Sequence, residues 1–312
     1  MAQGDMAQEN FKTVQDGVSK RQFLSAAFSI LGLLVILVST IVLLALVGQL
    51  FVQGYPRLNW QFFTSFPSSN YQEAGILSAW VGSFLVMLVT VTIAVPLGVA
   101  AGIYLEEYGG KNWLAAIIEI NVTNLAGVPS IVYGLLALGF FNDTLGLGDS
   151  ILTAGLTLAL LILPIVIVTT RESLRSIPNS LREAAYAVGS SKWQVIWDHI
   201  LPCSYGSILT GIIIGLSRAI GETAPLITIG ALTFIAFLPP APIQPDFPFI
   251  SFEWLKAPFT VMPIQMFNWV SRPEPEFQVN AAAAGAVLIV MTLTMNGFAI
   301  YLRYRFRKGM KW

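Results

Sequence analysis

Charge is what this chain has least of. Only 11% of its 312 residues are Asp, Glu, Lys or Arg, against 55% hydrophobic, far below the roughly 25% charged residues of soluble proteins. So thin a polar complement excludes the pair of soluble domains that the length alone would permit. A single cysteine, Cys203, excludes an internal disulfide and any cysteine-based metal cluster, and is expected only to pack near the membrane surface. A single histidine, His199, cannot build a zinc site by itself, so no metal site is expected. Neither residue has paired carboxylates or metal-ligand spacing beside it, which leaves a membrane-embedded enzyme without support. No Gly-x-x-x-x-Gly-Lys-[Ser/Thr] run occurs, so nothing here binds and hydrolyses ATP. No period of about 20 to 50 residues repeats, which speaks against an internally duplicated transporter. Such a chain needs a second copy or a related subunit to enclose a pathway.

What is there reads as an all-α integral membrane protein. Residues 1–22 form a polar tail carrying Lys12, Lys20 and Arg21. The apolar run 23–52 is longer than the roughly 7 to 15 residues of a cleavable signal core and reads as a retained first span. The second span covers 76–104, where Pro96, Gly98 and Gly102 predict a kink and a close helix contact. The third, 113–141, is interrupted by Glu119, Asn121, Thr123, Asn124 and Ser130, with Gly127 and Pro129 beside them. Polar groups and helix breakers at membrane depth are tolerated where protein or a water-filled cavity satisfies the backbone. Hydrogen-bonded helix packing and the lining of a pathway are both open readings. The fourth span covers 151–170, the fifth 206–237 and the sixth 279–301, each long enough for a hydrocarbon core of about 30 Å.

Thirteen of the 17 lysines and arginines fall in the tail, the 106–112 loop, the 171–205 segment and the C-terminus. The opposite side holds Arg57, Lys256 and Arg272, and Arg218 lies within the fifth span. The positive-inside rule therefore predicts both termini and the 171–205 segment in the cytoplasm, with 303–312 a basic cytoplasmic tail. The outward loop 238–278 carries nine of the 17 prolines together with Trp254, Phe259, Phe267 and Trp269. It is expected to lie at the membrane interface, as a plain interfacial loop or as a docking surface for an extracytoplasmic partner.

The polar segment 171–205 sits between the fourth and fifth spans and carries Arg171, Arg175, Arg182 and Lys192. Ser180 with Glu183, and Ser191 with Gln194, each have the spacing of a capping box. Leu181, Ala184, Ala185 and Val188 recur at helical spacing, and Gly189 suits the left-handed residue that ends a helix. A helix over 180–188 follows, then a second from 191, with Pro202 marking a boundary. Trp193 and Trp197, one turn apart, would sit at the headgroups. The expected fold is six transmembrane helices with a cytoplasmic helix-turn-helix between the fourth and fifth.

Arg218 and Glu222 stand four residues apart and would share one helix face. An arginine near the bilayer centre costs roughly 2.5 to 3.5 kcal/mol on insertion scales, partly offset by an opposite charge in reach. A structural ion pair fixing helix register is one reading and a substrate site the other. For an oxyanion, the planar fork of Arg can donate two hydrogen bonds to adjacent oxygens. Glu222 would hold the guanidinium when the site is empty, Thr223 would donate a hydroxyl, and Pro225 would release a backbone carbonyl. A secondary anion transporter using the same pair for ion coupling is the reading from a different class.

Glu183-Ala184-Ala185, Gly189 and Leu201-Pro202 resemble the EAA signature of ABC importer permeases, with His199 standing where that pattern usually carries Ile. The runs Asn-Leu-Ala-Gly-Val-Pro-Ser-Ile-Val-Tyr-Gly at 124–134, Arg-Ala-Ile-Gly-Glu-Thr-Ala-Pro at 218–225 and Pro-Ile-Gln-Met-Phe-Asn-Trp at 263–269 look like the PstA-type permeases of phosphate importers. The resemblance covers about three quarters of the chain and implies the ABC importer permease fold over 76–302, including the EAA loop 171–205. It implies a bacterial plasma (inner) membrane location and half of a pathway for inorganic phosphate, with sulfate, molybdate or phosphonate as alternative oxyanions. The implied partners are a PstC-type sister permease, two copies of a PstB-type ATPase that binds the ATP and Mg, and a PstS-type extracytoplasmic binding protein. This chain itself would hold no cofactor. Glu183, Ala184, Ala185, Gly189, Leu201 and Pro202 would couple to the ATPase. Arg218, Glu222, Thr223, Asn124 and Ser130 would line the substrate pathway.

Overall fold

The computed structural model describes residues 2–110, 113–243, 249 and 251–308, with side chains described from residue 21 onward except those of Phe23, Leu114 and 306–308. Of the charge count above, the side chains of Lys12, Lys20, Arg307 and Lys308, and the whole of Lys111 and Lys311, lie outside the described residues. The same holds for 309–312 of the basic tail. Among the described residues all regular elements are helical.

The chain divides into two compact units, Met1–Val52 and Gln53–Trp312. Helix α1 (Ala2–Gly54) accounts for the first. The polar tail and first span expected over 1–22 and 23–52 are one uninterrupted helix, since no proline stands before residue 56 to stop it. Its apolar side chains from Leu24 to Leu46, Leu31, Val35, Val38 and Val42 among them, are exposed.

The second unit begins with a 3-10 turn at Tyr55–Arg57 and the short helix α2 (Trp60–Thr64), capped by the Asn59 side chain. Helix α3 (Leu77–Ile103) runs on as a π-helical stretch to Tyr108. Next come α4 (Trp113–Leu125), α5 (Ser130–Ala137) with its π-helical extension Leu138–Thr144, and α6 (Ile151–Arg175). The core forms where α3 lies along α6. Small residues make that approach possible: a Cβ on Gly98 would stand 2.6 Å from Val166 Cγ1, and one on Gly102 2.6 Å from Thr170 Cβ. Thr90, fully buried, donates across the seam to the carbonyl of Gly155 at 3.2 Å.

Helix α7 (Asn179–Ala187) is followed by one turn, α8 (Lys192–Gln194), which continues through the π-helical stretch Val195–Ile200 into α9 (Leu201–Ile220). The boundary expected at Pro202 is therefore absent. The proline sits in the first turn of α9, directly after the π-helical stretch, where its missing N–H is tolerated. The fifth span is shifted accordingly. Its helix runs over Lys192–Ile220 rather than 206–237, because the chain turns at Gly221 and restarts as α10 (Ala224–Thr228) with Pro225 in its first turn. Helices α11 (Met262–Val270) and α12 (Glu276–Lys308) complete the unit.

Five helices among the described residues are long and apolar enough to cross a membrane, or six if the bent pair Ala115–Leu125 and Ser130–Thr144 counts as one span. That pair is the interrupted third span expected over 113–141, and its halves meet at 111°. Pro129 disfavours helical backbone at Val128 and lacks an N–H of its own, so the helix cannot continue through it. The outer loop differs as well. Trp254, Phe259 and Trp269 are buried rather than interfacial, while Phe267 stays exposed. The start of α11 is tied to α3 by the Met262 N–H, which donates to Ser83 Oγ at 2.8 Å. Arg57 ties the start of this unit to α12: its Nε donates to the fully buried Asn280 at 2.8 Å, and a terminal nitrogen donates to the Ala74 carbonyl at 2.7 Å.

Candidate functional site

Two places carry the residues singled out from the sequence. The first is the end of α9. Gly221 and Glu222 donate backbone hydrogen bonds to the carbonyls of Arg218 and Ala219, three residues back, which tightens and ends the helix. Glu222 thus lies past the helix rather than on its face, yet its carboxylate folds back to Arg218 Nε at 3.2 Å. A cation in the last turn also opposes the partial negative charge of the helix end. The Arg218 side chain is 41% exposed and Glu222 17%. Among the described residues Glu222 is the one carboxylate Arg218 pairs with, and the terminal nitrogens of the guanidinium make no hydrogen bond. They remain able to grip an anion.

Thr223 stands at the N-cap of α10, where its carbonyl accepts from Leu226 and Ile227. Pro225 lies within that new helix instead of freeing a carbonyl in the old one. Helix α10 packs tightly on α5, the second half of the broken span. A Cβ on Gly134 would fall 2.7 Å from both Cα and the carbonyl oxygen of Pro225, and would collide with Thr228 Oγ1. Across the break, the Tyr133 hydroxyl donates to the Leu125 carbonyl at 2.7 Å and so holds α4 to α5. Asn124 ends α4 with its side chain exposed, and Ser130 begins α5 one turn before Gly134. The structure brings Arg218 and Glu222 into direct contact. It connects Asn124 and Ser130 to them only through the α5 and α10 packing.

Beside this turn lies a mostly apolar cavity of about 490 Å³, lined by Gly221, Thr223 and Ile227 on one side and Pro263, Met266 and Phe267 on the other. The runs 218–225 and 263–269 thus meet at this cavity, and the run 124–134 joins them through Gly134 against Pro225.

The second place is the 171–205 segment. Helix α7 starts directly after Pro178, which puts Ser180 inside the first turn, and the box expected of Ser180 and Glu183 does not form. The box of Ser191 and Gln194 does, with both reciprocal bonds present. Gly189, at φ +88, closes α7. Its N–H donates to Tyr186 and that of Ser190 to Ala185, the paired bonds of a Schellman motif. Glu183 and Ala184 face outward, whereas Ala185 turns inward against Leu174, Val195 and Ile200. Of the Ala184–Ala185 pair, only Ala184 faces outward. Leu201 is buried below it and Pro202 half-buried. Trp193 and Trp197 stack, ring centres 5.4 Å apart, and both are exposed. A groove of about 530 Å³ runs between Ile177, Ser180, Leu181, Ala184 and Cys203.

The sequence reading missed how this segment is held. Arg182 donates to the Ile177 and Leu174 carbonyls at 2.8 and 3.0 Å, which satisfies the end of α6, and meets Glu107 at 2.9 Å. Arg171 reaches Glu106 at 3.4 Å and Glu119 at 2.8 Å. Lys192 lies over the Tyr108 ring at 4.7 Å. Three of the four cations in the segment are thus engaged by the end of α3 and by α4. The signal available was the adjacent pair Glu106 and Glu107 at the end of an apolar run, which is costly unless paired.

A helical bundle with a broken span, a half-exposed arginine where α9 ends and a short polar-faced helix between two spans is the architecture of a transport permease. The chain belongs to the family of binding-protein-dependent transport system inner membrane components, whose model matches residues 94–311. It is 35% identical over 255 residues, 78% of this chain and 77% of the other, to the phosphate transport system permease protein PstA of Yersinia pestis. The PstA of Haemophilus influenzae is 34% identical over 251 residues, covering 80% of this chain and 83% of its own. The probable ABC transporter permease protein YqgI of Bacillus subtilis is 29% identical over 264 residues, 84% of this chain and 88% of its own. Among solved structures, a chain of a bacterial alginate ABC transporter, in complex with its pentasaccharide-bound periplasmic protein, superposes with a TM-score of 0.63 at 15% identity. That match covers 93% of this chain and 96% of the other and establishes a shared fold.

Proposed function

We propose that this chain is the permease subunit of an ATP-driven importer of inorganic phosphate, forming half of the pathway in the plasma (inner) membrane. The observation that carries the reading is the likeness to phosphate permeases over 78% of the chain. The half-exposed Arg218 in the last turn of α9 supports it. Arg218 grips the anion through its free terminal nitrogens. Glu222 competes for the same guanidinium, which keeps binding weak enough for release. Thr223, Asn124 and Ser130 line the route. A PstC-type sister encloses the other half, two PstB-type ATPases hold ATP and Mg, and a PstS-type binding protein delivers phosphate from outside. Both termini face the cytoplasm, as the distribution of lysine and arginine requires.

The ATPase seats on α7 through Glu183 and Ala184, with Ala185, Gly189, Leu201 and Pro202 shaping the helix from beneath. Ala184 leaves room for a groove to approach the backbone. Ala184→Glu should therefore release the ATPase and lower import about tenfold, the cost of roughly 1.4 kcal/mol at the contact, while the two permeases stay paired. Co-purification of the ATPase with the variant reads this directly, and full retention would remove α7 from the interface.

The function itself is tested by ATP-dependent uptake of labelled phosphate into vesicles carrying all four kinds of subunit, with sulfate as competitor. Phosphate uptake that excess sulfate leaves unchanged is expected. Uptake displaced by sulfate would assign another oxyanion, and uptake driven by an ion gradient without the ATPase would make the chain a secondary transporter.

A further inference from the structure

We propose that Arg171 is a positioning residue that transmits movement of the α7 segment to the broken span through its bond to Glu119, an inference that rests on the importer reading above. The contacts form a continuous path. Arg182 fastens the start of α7 to the Leu174 carbonyl near the end of α6, to the Ile177 carbonyl in the link and to Glu107. One turn before that end, Arg171 extends from α6 and forks, with Nε at 3.4 Å from Glu106 and Nη1 at 2.8 Å from Glu119. Glu119 lies mid-way along α4, whose far end is held by the Tyr133 hydroxyl across the break. Tyr133 stands beside Gly134, the point where α5 seats on Pro225 next to the Arg218 turn.

Helix α4 is otherwise loosely held, which is what makes one ion pair decisive. Ile117, Ile118, Ile120 and Leu125 are all exposed, and among its described side chains the one buried hydrophobic is Val122, against Leu105 and Ile167. The 111° break supplies the element that can adopt a second arrangement. A displacement of α7 that shifts the end of α6 draws on Glu119 and alters the angle at Gly127 and Pro129. The Arg182 clamp is different in kind, because it satisfies backbone carbonyls and holds α7 and α6 together in any state.

The test is the number of phosphate ions imported per ATP hydrolysed, measured in vesicles containing the complete complex. Arg171→Gln and Glu119→Gln should each lower that ratio about tenfold, within the range of ordinary coupling energies, with ATP hydrolysis continuing. The double variant should fall no further than either single one, since both remove the same bond. Arg171→Lys should recover part of the ratio. A ratio equal to wild type in both single variants, or losses that multiply in the double, would overturn the proposal. So would import and hydrolysis falling together as the amount of complex falls. If Arg171→Gln prevents assembly, Glu119→Gln decides alone, its side chain being 49% exposed and dispensable for packing. Absence of ATP-driven phosphate uptake by the wild-type complex would instead overturn the importer reading, and this inference with it.

Discussion

An Arg218→Ala chain is expected to assemble with its partners and to import phosphate at least about a hundredfold more slowly than wild type. Assembly survives because the side chain is 41% exposed and its ion pair joins two residues of one turn, so its loss costs the fold little. Import is expected not to survive, because under the proposed function the guanidinium is the donor to the anion where α9 ends. Two charge-assisted hydrogen bonds of about 1.5 kcal/mol each are lost, and roughly 2.7 kcal/mol corresponds to a hundredfold. Arg218→Lys keeps the charge but loses the fork and should fall between the two. Glu222→Gln removes the competitor and should tighten binding while slowing release. Initial rates of labelled phosphate uptake, normalised to the amount of complex, separate these cases. A wild-type rate for Arg218→Ala would take the substrate site away from this turn.

Gly134→Val is expected to fail at an earlier stage, with little assembled complex recovered. The first atom of any side chain at 134 would stand 2.7 Å from the Pro225 backbone and would strike the Thr228 hydroxyl. Backbone on the far side cannot rotate away as a flexible side chain would, so α5 and α10 must separate. Overpacking of this kind costs about 3 kcal/mol or more. Because α10 directly continues the Arg218 turn, the complex that does form should also import poorly. Gly139→Ala is the matched control: nothing lies within 4 Å of a Cβ there, and yield should be unchanged. Thermal inactivation and yield of the detergent-extracted complex compare the two. Equal stability would mean that α5 and α10 do not need this contact.

Local chemistry was legible and long-range chemistry was not. The box of Ser191 and Gln194 could be read because its two bonds close within one turn, and Gly189 because only its backbone conformation matters. The same spacing at Ser180 and Glu183 misled, since Pro178, with its fixed φ, had already started the helix two residues earlier. Pro129 and Pro225 both marked real breaks, but Pro202 did not, because a π-helical stretch precedes it. The carboxylate partners of Arg171 and Arg182 come from 52 to 75 residues away, and no spacing rule reaches that far. The burial of Trp254, Phe259 and Trp269 was hidden for a related reason. Aromatic residues suit a membrane interface and a protein core equally, and composition cannot choose between them.

By itself the sequence determined that this is a multi-span membrane protein, that a polar segment stands before the fifth span, and that Arg218 and Glu222 meet. Each follows from composition or from residues within a turn of one another. Only the tertiary structure decided which faces of those elements are available. Ala184 and Ala185 are the same residue type side by side, yet about 100° apart around the helix, and the core of Leu174, Val195 and Ile200 takes one and leaves the other. In the same way, the 111° break and the packing of Gly134 on Pro225 bring three distant runs to the Arg218 turn. That convergence depends on how closely backbones approach across the bundle, a property of packed helices that no single stretch of the chain contains.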